Sequence, residues 1–119
     1  MDGSVGPVPL KKAEDGRRDA RRRVLFGGKL LYGDDDLTLD CAIRNLSSVG
    51  AKIRLASPVV LPSEVRLIEL RAGVVFDCRV IWRRAPEYGL ELLGSRDLSK
   101  GDEPELRVAK RIWIEHAAR

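Results

Sequence analysis

Between residues 24 and 92, apolar and polar side chains alternate in short runs that are separated by Gly, Pro and Asp. The clearest run is residues 37–44, in which every second side chain is apolar, namely Leu37, Leu39, Cys41 and Ile43. A period of two is typical of a strand that buries one face. Similar segments lie at residues 24–32, 50–55, 64–71, 74–83 and 88–92. Six short strands with turn residues between them predict an all-β fold, an antiparallel barrel or sandwich.

The alternation also predicts which side chains face the core. In the fifth segment, every second residue shares one face, namely Phe76, Cys78, Val80 and Trp82. In the first segment, Gly27 and Gly28 interrupt the apolar run, and glycines inside a strand pattern indicate a bulge or a sharp bend. Residues 33–36 read Gly-Asp-Asp-Asp, which favours a hairpin turn, and their spacing does not match a calcium loop.

After Gly94 the apolar period becomes that of a helix. The apolar stripe consists of Leu106, Val108, Ala109, Ile112 and Trp113. Asp97 or Ser99 is the predicted N-cap, and Pro104 suits the first turn. Because an amphipathic helix must cover its apolar stripe, we expect it to pack on the outside or the open end of the barrel, or on a partner.

Charge is distributed unevenly along the chain. The 119 residues carry a net charge of +4, and residues 11–23 hold seven basic and three acidic side chains, so this segment alone has a net charge of +4. We therefore expect an anionic ligand to be drawn to the N-terminal segment. Residues 1–16, which combine Gly, Pro and charge without a period, are predicted to be a flexible leader.

Several functional classes lack support in the sequence. The two cysteines, Cys41 and Cys78, form no CxxC pair, and the one histidine, His116, has no nucleophile near it in sequence, so we predict no metal site, no cofactor and no enzyme activity. No apolar run approaches the roughly 20 residues of a membrane span, and the N-terminus does not read as a signal peptide. We therefore expect a cytoplasmic protein.

Two polar motifs flank the first hairpin. Before it stand five arginines in two overlapping Arg-x-x-x-Arg spacings, namely Arg17, Arg18, Arg21, Arg22 and Arg23. A guanidinium group binds phosphate or the O6/N7 edge of guanine through two parallel hydrogen bonds. After the hairpin stands Asn45-x-Ser47-x-x-Gly50, where Asn and Ser offer polar groups and Gly50 permits a tight turn into the next strand.

In this order, the two motifs resemble those of the PilZ domain family. The resemblance covers roughly residues 17–93 and implies a single-domain, six-stranded antiparallel β-barrel at 17–95, with the arginine arm at its start and a C-terminal helix at 96–119. It also implies binding of cyclic di-GMP, a bacterial second messenger with two guanines and two phosphates in a ring. Arg18 and Arg22, or Arg17 and Arg21 in the other register, would then bind phosphate and guanine edges. Arg23 stands next to them as a further candidate. Asn45 and Ser47 would hydrogen-bond a guanine, and Gly50 would permit its close approach.

Three hypotheses follow from the sequence. The first is a non-catalytic cyclic di-GMP receptor that signals to an unidentified downstream protein by changed contacts. The second is a ligand-independent interaction module of PilZ fold. The third is nucleic-acid binding through the basic segment, which we rank last because the chain has only six aromatic residues and lacks the interleaved stacking aromatics of single-strand binders.

Overall fold

The computed structural model describes residues 22–34, 37–101 and 103–118, and for residues 22–25 it describes the backbone only. The leader predicted at 1–16 lies outside these residues. Six strands are present: β1 (Arg22–Tyr32), β2 (Leu37–Leu46), β3 (Gly50–Leu55), β4 (Glu64–Glu69), β5 (Val74–Arg84) and β6 (Glu87–Asp97). A short 3-10 helix (Pro104–Leu106) leads into the helix α1 (Arg107–Ala117).

The strands close into a barrel in the order β1-β2-β3-β6-β5-β4, and every neighbouring pair is antiparallel. Closure gives each of the six described strands a hydrogen-bonded neighbour on both sides, which limits the strand edge exposed to another chain. The connection from β3 to β4 is tied down by Tyr88, whose buried hydroxyl accepts a hydrogen bond from Val59 N at 3.2 Å and donates one to Val59 O at 2.8 Å. The prediction of a six-stranded antiparallel barrel with a C-terminal helix is confirmed.

The molecule has two apolar cores, one on each side of the barrel wall. The interior core contains Leu30 and Leu67, and the second core contains their neighbours in sequence, Leu31 and Ile68. Leu106 and Ala109 complete the second core, so α1 covers the outside of β1, β4 and β5. This arrangement explains why consecutive residues of β1 and β4 are both buried, and it selects the outside of the barrel among the predicted helix positions.

Two details of β6 and β1 differ from the predictions. β6 continues to Asp97, past its predicted end at residue 92, because residues 94–97 pair with the beginning of β5. Gly27 and Gly28 stay in register with Ala42 and Cys41, and the shift in the β1–β2 ladder lies before them, between Arg23 and Phe26. A Cβ atom on Gly28 would lie 3.1 Å from Cys41 Sγ, so this glycine serves close packing in the barrel.

The predicted helix caps are also wrong. The N-cap of α1 is Leu106, which makes no side-chain capping bond. Asp97 instead accepts hydrogen bonds at Oδ1 from the Ser99 backbone N at 2.9 Å and from Ser99 Oγ at 2.6 Å. These bonds shape the turn that follows β6. Pro104 does occupy the first position of the 3-10 helix, as predicted.

Candidate functional site

The β1–β2 ladder brings the end of the arginine segment next to the second motif. Arg22 lies opposite Leu46, and Arg23 lies opposite Asn45. Arg17, Arg18 and Arg21 lie outside the described residues. For the part of the segment that the structure describes, the backbone of the first motif therefore runs directly beside Asn45.

A bulge in β2 determines where the Asn45 side chain points. Ile43 pairs with Ile53 and Asn45 pairs with Lys52, so Arg44 has no partner in the ladder with β3. The extra residue lets both Ile43 and Leu46 pack in the interior, which leaves Arg44 and Asn45 on the outer face. Asn45 thus reaches the outer surface because the alternation is broken just before it.

Ser47 organises the turn between β2 and β3. Its backbone N donates to Gly50 O at 2.9 Å. Its hydroxyl accepts hydrogen bonds from the backbone N of Val49 at 3.3 Å and of Gly50 at 3.1 Å, and Oγ lies 3.3 Å from Gly50 O. The role visible for Ser47 is to fix the turn that follows Asn45.

Gly50 is the first residue of β3, where it pairs with Glu91. It is not among the described residues with left-handed backbone, which are Gly33, Asp34, Gly73 and Gly101. The turn therefore does not need glycine for its φ angle, contrary to the reason given from the sequence. Because Ala51 faces the interior, a side chain at position 50 would face outward, and Gly50 itself is buried at the start of the strand.

The ladders extend the outward position of Asn45 into a row across four strands. Asn45 pairs with Lys52, Lys52 with Gly89, and Gly89 with Trp82. The neighbours of Lys52 and Gly89 along the chain are buried in the interior, so the row itself faces outward. We call Asn45, Lys52, Gly89 and Trp82 the outward row.

Trp82 is the residue of this row that the sequence pattern misplaced. We predicted it on the face of Cys78 and Val80, but a register shift between Val80 and Trp82 moves it to the outer face. There the indole lies over Gly89, since a Cβ atom on that glycine would be 2.0 Å from Trp82 Nε1. The side chain is 37% exposed, so part of the ring remains available to a ligand. The sequence feature that could have indicated this position is Gly89, because a glycine within a strand leaves space for an aromatic side chain of the neighbouring strand.

Cations gather around the outward row. Lys52 Nζ lies 3.9 Å from Glu87 Oε1, and Glu87 pairs in the ladders with Arg54 on one side and Arg84 on the other. The Arg84 guanidinium carbon lies 5.8 Å from the centre of the Trp82 ring. The charges of the residues outside the N-terminal segment sum to zero, but the fold places Lys52, Arg54 and Arg84 close together on the outer face.

A groove of about 630 Å³ lies elsewhere, between the start of the helical region and the outer side of β4. It contains none of the predicted site residues. Its lining includes the acidic residues Asp34, Glu64, Asp77 and Glu105. Among the described residues that line it, the one cation is Arg66, which donates to Glu105 O at 3.0 Å and lies 3.6 Å from Asp77 Oδ1. This groove is therefore unsuited to an anionic ligand, and we place the site on the outward row.

The thiols belong to the barrel interior. Both cysteines are free, and burial raises the pKa of Cys41 and of Cys78 to about 12, with smaller contributions from Asp40 and Asp77 respectively. A thiol with so high a pKa is a poor nucleophile at neutral pH. Within the part of the chain that the structure describes, no cluster of three or more His, Cys, Asp or Glu side chains is arranged to hold a metal ion.

No helix among the described residues is long and apolar enough to cross a membrane.

Two comparisons with known proteins found matches to this chain. The family model of the PilZ domain matches residues 16–103, which is more than half of the chain. Among solved structures, the chain is similar to the crystal structure of the PilZ domain of CeSA from a cellulose-synthesizing bacterium, with 13% sequence identity and a TM-score of 0.47. That match covers 82% of this chain and 97% of the other. No curated protein matches the chain.

Proposed function

The chain belongs to the PilZ domain family, and from this premise we propose that it is a non-catalytic cytoplasmic receptor for cyclic di-GMP. The observation that carries the proposal is the register of β1 on β2, which pairs Arg22 with Leu46 and Arg23 with the outward-facing Asn45. A ligand with two guanines and two phosphates offers both kinds of group that these residues bind. Arginine forks bind phosphate and the O6/N7 edge of guanine, and an amide binds a base edge.

Each type of residue has a different role in the proposed binding. The arginines at 17, 18, 21, 22 and 23 supply positive charge and paired donors. Asn45 hydrogen-bonds one guanine on the outer face of the barrel. Ser47 holds the turn after Asn45 through its bonds to Val49 and Gly50. Gly50, which has no side chain, permits the close approach of the guanine. Ser47 acts in this proposal through the shape of the turn as well as through any direct contact.

Trp82 adds a stacking surface that the two motifs do not contain. Its indole is held against the barrel by Gly89 and is flanked by Lys52 through the pairing of Lys52 with Gly89. A ligand whose guanine is hydrogen-bonded by Asn45 at one end of the outward row can therefore extend along the row to the Trp82 ring at the other end. Stacking of a base on an aromatic side chain contributes about 1–3 kcal/mol.

Signal relay follows from the position of the turn. Val49 lies in the Ser47 turn and Leu93 lies on β6, and both side chains are about half exposed. A hydrogen bond from Leu92 N to Val49 O, 2.9 Å long, ties the turn to β6 beside Leu93. Ligand that orders the arginine segment over this region would change the apolar surface offered to a partner protein.

The alternative of a ligand-independent interaction module has less to support it. The apolar stripe of α1, which was its best docking surface, is covered by the barrel. Of the large apolar side chains on α1, the one that is more than half exposed is Ile114.

Isothermal titration of the purified protein with cyclic di-GMP tests the proposal. We expect saturable binding that is weakened at least tenfold by Asn45→Ala and by Arg22→Ala, and no binding of GTP at the same concentrations. Trp82→Ala should weaken binding while Trp82→Phe, which keeps a ring, should retain most of it. Ser47→Ala should also weaken binding, through loss of the turn.

If the unmodified protein at about 100 micromolar gives no binding signal, the receptor function is contradicted. For scale, a dissociation constant as weak as millimolar corresponds to a binding free energy of about −4 kcal/mol. Binding that survives Asn45→Ala and Arg22→Ala unchanged would place the ligand elsewhere.

A further inference from the structure

Lys52 stands in the middle of the outward row, between Asn45 on β2 and Gly89 on β6. Side chains directly opposite each other on antiparallel strands have Cβ atoms about 4.5–5.5 Å apart. The Lys52 stem therefore starts beside the Asn45 amide, and its backbone partner on the other side is the glycine that Trp82 covers. Whatever contacts both Asn45 and Trp82 must pass over Lys52.

The ammonium group of Lys52 is paired only loosely. Its distance of 3.9 Å to Glu87 Oε1 is well beyond the roughly 2.7–2.9 Å of a charge-assisted hydrogen bond. The two side chains are 34% and 30% exposed, so the pair is neither sealed from water nor fully solvated. An ion pair of this kind is worth little, and an arriving anion can displace it at small cost.

Two further cations begin beside Glu87 in the sheet. Its ladder partners are Arg54 and Arg84, whose side chains start next to it on the outer face. If Lys52 turns toward a ligand, either arginine can reach over to the Glu87 carboxylate. We therefore expect Lys52 to be redirected toward a ligand without leaving an uncompensated acid.

We propose that Lys52 is a further ligand-binding residue, which donates to a phosphate oxygen or to the O6/N7 edge of a guanine, and that Glu87 competes with the ligand for it. This inference rests on the proposed binding of cyclic di-GMP. Asn45 fixes orientation through a neutral amide, whereas Lys52 supplies charge at the same place on the barrel. Lys52 thereby extends the positive site from the N-terminal segment onto the rigid sheet.

Titration calorimetry with cyclic di-GMP tests both parts. Lys52→Met keeps the apolar stem and removes the charge, and we expect affinity to fall about tenfold, which corresponds to about 1.4 kcal/mol. Glu87→Gln removes the competing charge, and we expect affinity to rise about threefold. The control is Lys100→Met, which deletes the same charge from a side chain that is 82% exposed on the turn after β6. We expect it to change affinity less than twofold.

The outcomes separate this inference from the function on which it rests. If the unmodified protein does not bind, the receptor function fails and this inference fails with it. If the protein binds and Asn45→Ala weakens it, but Lys52→Met behaves like Lys100→Met, the function stands and the role of Lys52 is overturned. Unchanged or weaker binding by Glu87→Gln would overturn the competition. Thermal melts of each variant establish that the barrel is intact.

Discussion

At the scale of single residues, Gly89 is the position on which the outward row most depends. A Cβ atom there would lie 2.0 Å from Trp82 Nε1 and 2.3 Å from Cε2, so Gly89→Ala must displace the indole. Overpacking of this kind typically costs about 1–3 kcal/mol, and a partly exposed ring can relieve it by swinging into water. We expect the variant to be less stable in urea unfolding, to show red-shifted tryptophan emission and to bind cyclic di-GMP more weakly.

Gly94→Ala provides the matched control on the same strand. A Cβ atom at position 94 would meet only Asp77 Oδ2, at an ordinary 3.8 Å, so we expect stability and emission to change little. Equal effects of the two substitutions would show that the loss at position 89 reflects a glycine in a strand rather than contact with Trp82.

At the scale of elements, the sequence predicted those strands that bury one face. β2 and β3 follow a period of two up to the bulge, and Ile43, Ile53 and Leu55 are buried as expected. The pattern failed where pairing shifts the register, because a bulge adds one residue without changing the composition. Trp82 was misplaced for this reason. The length of β6 was also hidden, since residues 94–97 are strand only through their pairing with β5.

The residues of the candidate site likewise fall into those that the sequence predicts and those that only the fold brings together. Asn45, Ser47 and Gly50 could be chosen from spacing because they are close together in the chain. Lys52 and Trp82 join them only through the order of the strands, which brings β3, β6 and β5 side by side. Local spacing reveals a turn, whereas a surface across four strands requires the fold.

The packing of helix α1 on the barrel includes a contact between Trp113 and Gly73. The Trp113 indole lies against Gly73, where a Cβ atom would be 2.6 Å from ring carbons, and Gly73 has a left-handed φ of 70°. Trp113 also packs against the second core. We expect Trp113→Ala to lower the free energy of unfolding by about 2–4 kcal/mol, measured by chemical denaturation.

Ile114→Ala on the next position is the control, because that side chain is 52% exposed and should cost less than about 1 kcal/mol. Under native conditions, ligand affinity should be unchanged in both variants, since α1 covers the outside of β1, β4 and the beginning of β5, whereas the outward row crosses β2, β3, β6 and the end of β5. Loss of ligand binding by folded Trp113→Ala would show that the helix and the site are coupled.

At the scale of the whole molecule, opposite charges gather in different places on the barrel. Lys52 lies in the outward row and Arg54 and Arg84 lie beside it, whereas Asp34, Glu64, Asp77 and Glu105 line the groove beside the helix. A net charge of +4 conceals this separation. A dinucleotide with two phosphates would be steered toward the first region and away from the second, so we expect its association to slow as salt is added.

Deletion of the N-terminal segment separates the barrel from the charge that precedes it. The β-ladder begins with the pair of Arg22 and Leu46, so removal of residues 2–21 takes away no described strand residue. We therefore expect this truncated protein to keep its cooperative thermal transition. It loses Arg17, Arg18 and Arg21, and we expect its affinity for cyclic di-GMP to fall at least 30-fold. Removal of residues 2–16 alone, which spares all five arginines, should leave affinity within about twofold. If the protein that lacks residues 2–21 binds as well as the full chain, the site is limited to the barrel, with Lys52, Arg22 and Arg23 as its cations. If the protein that lacks residues 2–16 does not bind, the site extends to Lys11 and Lys12.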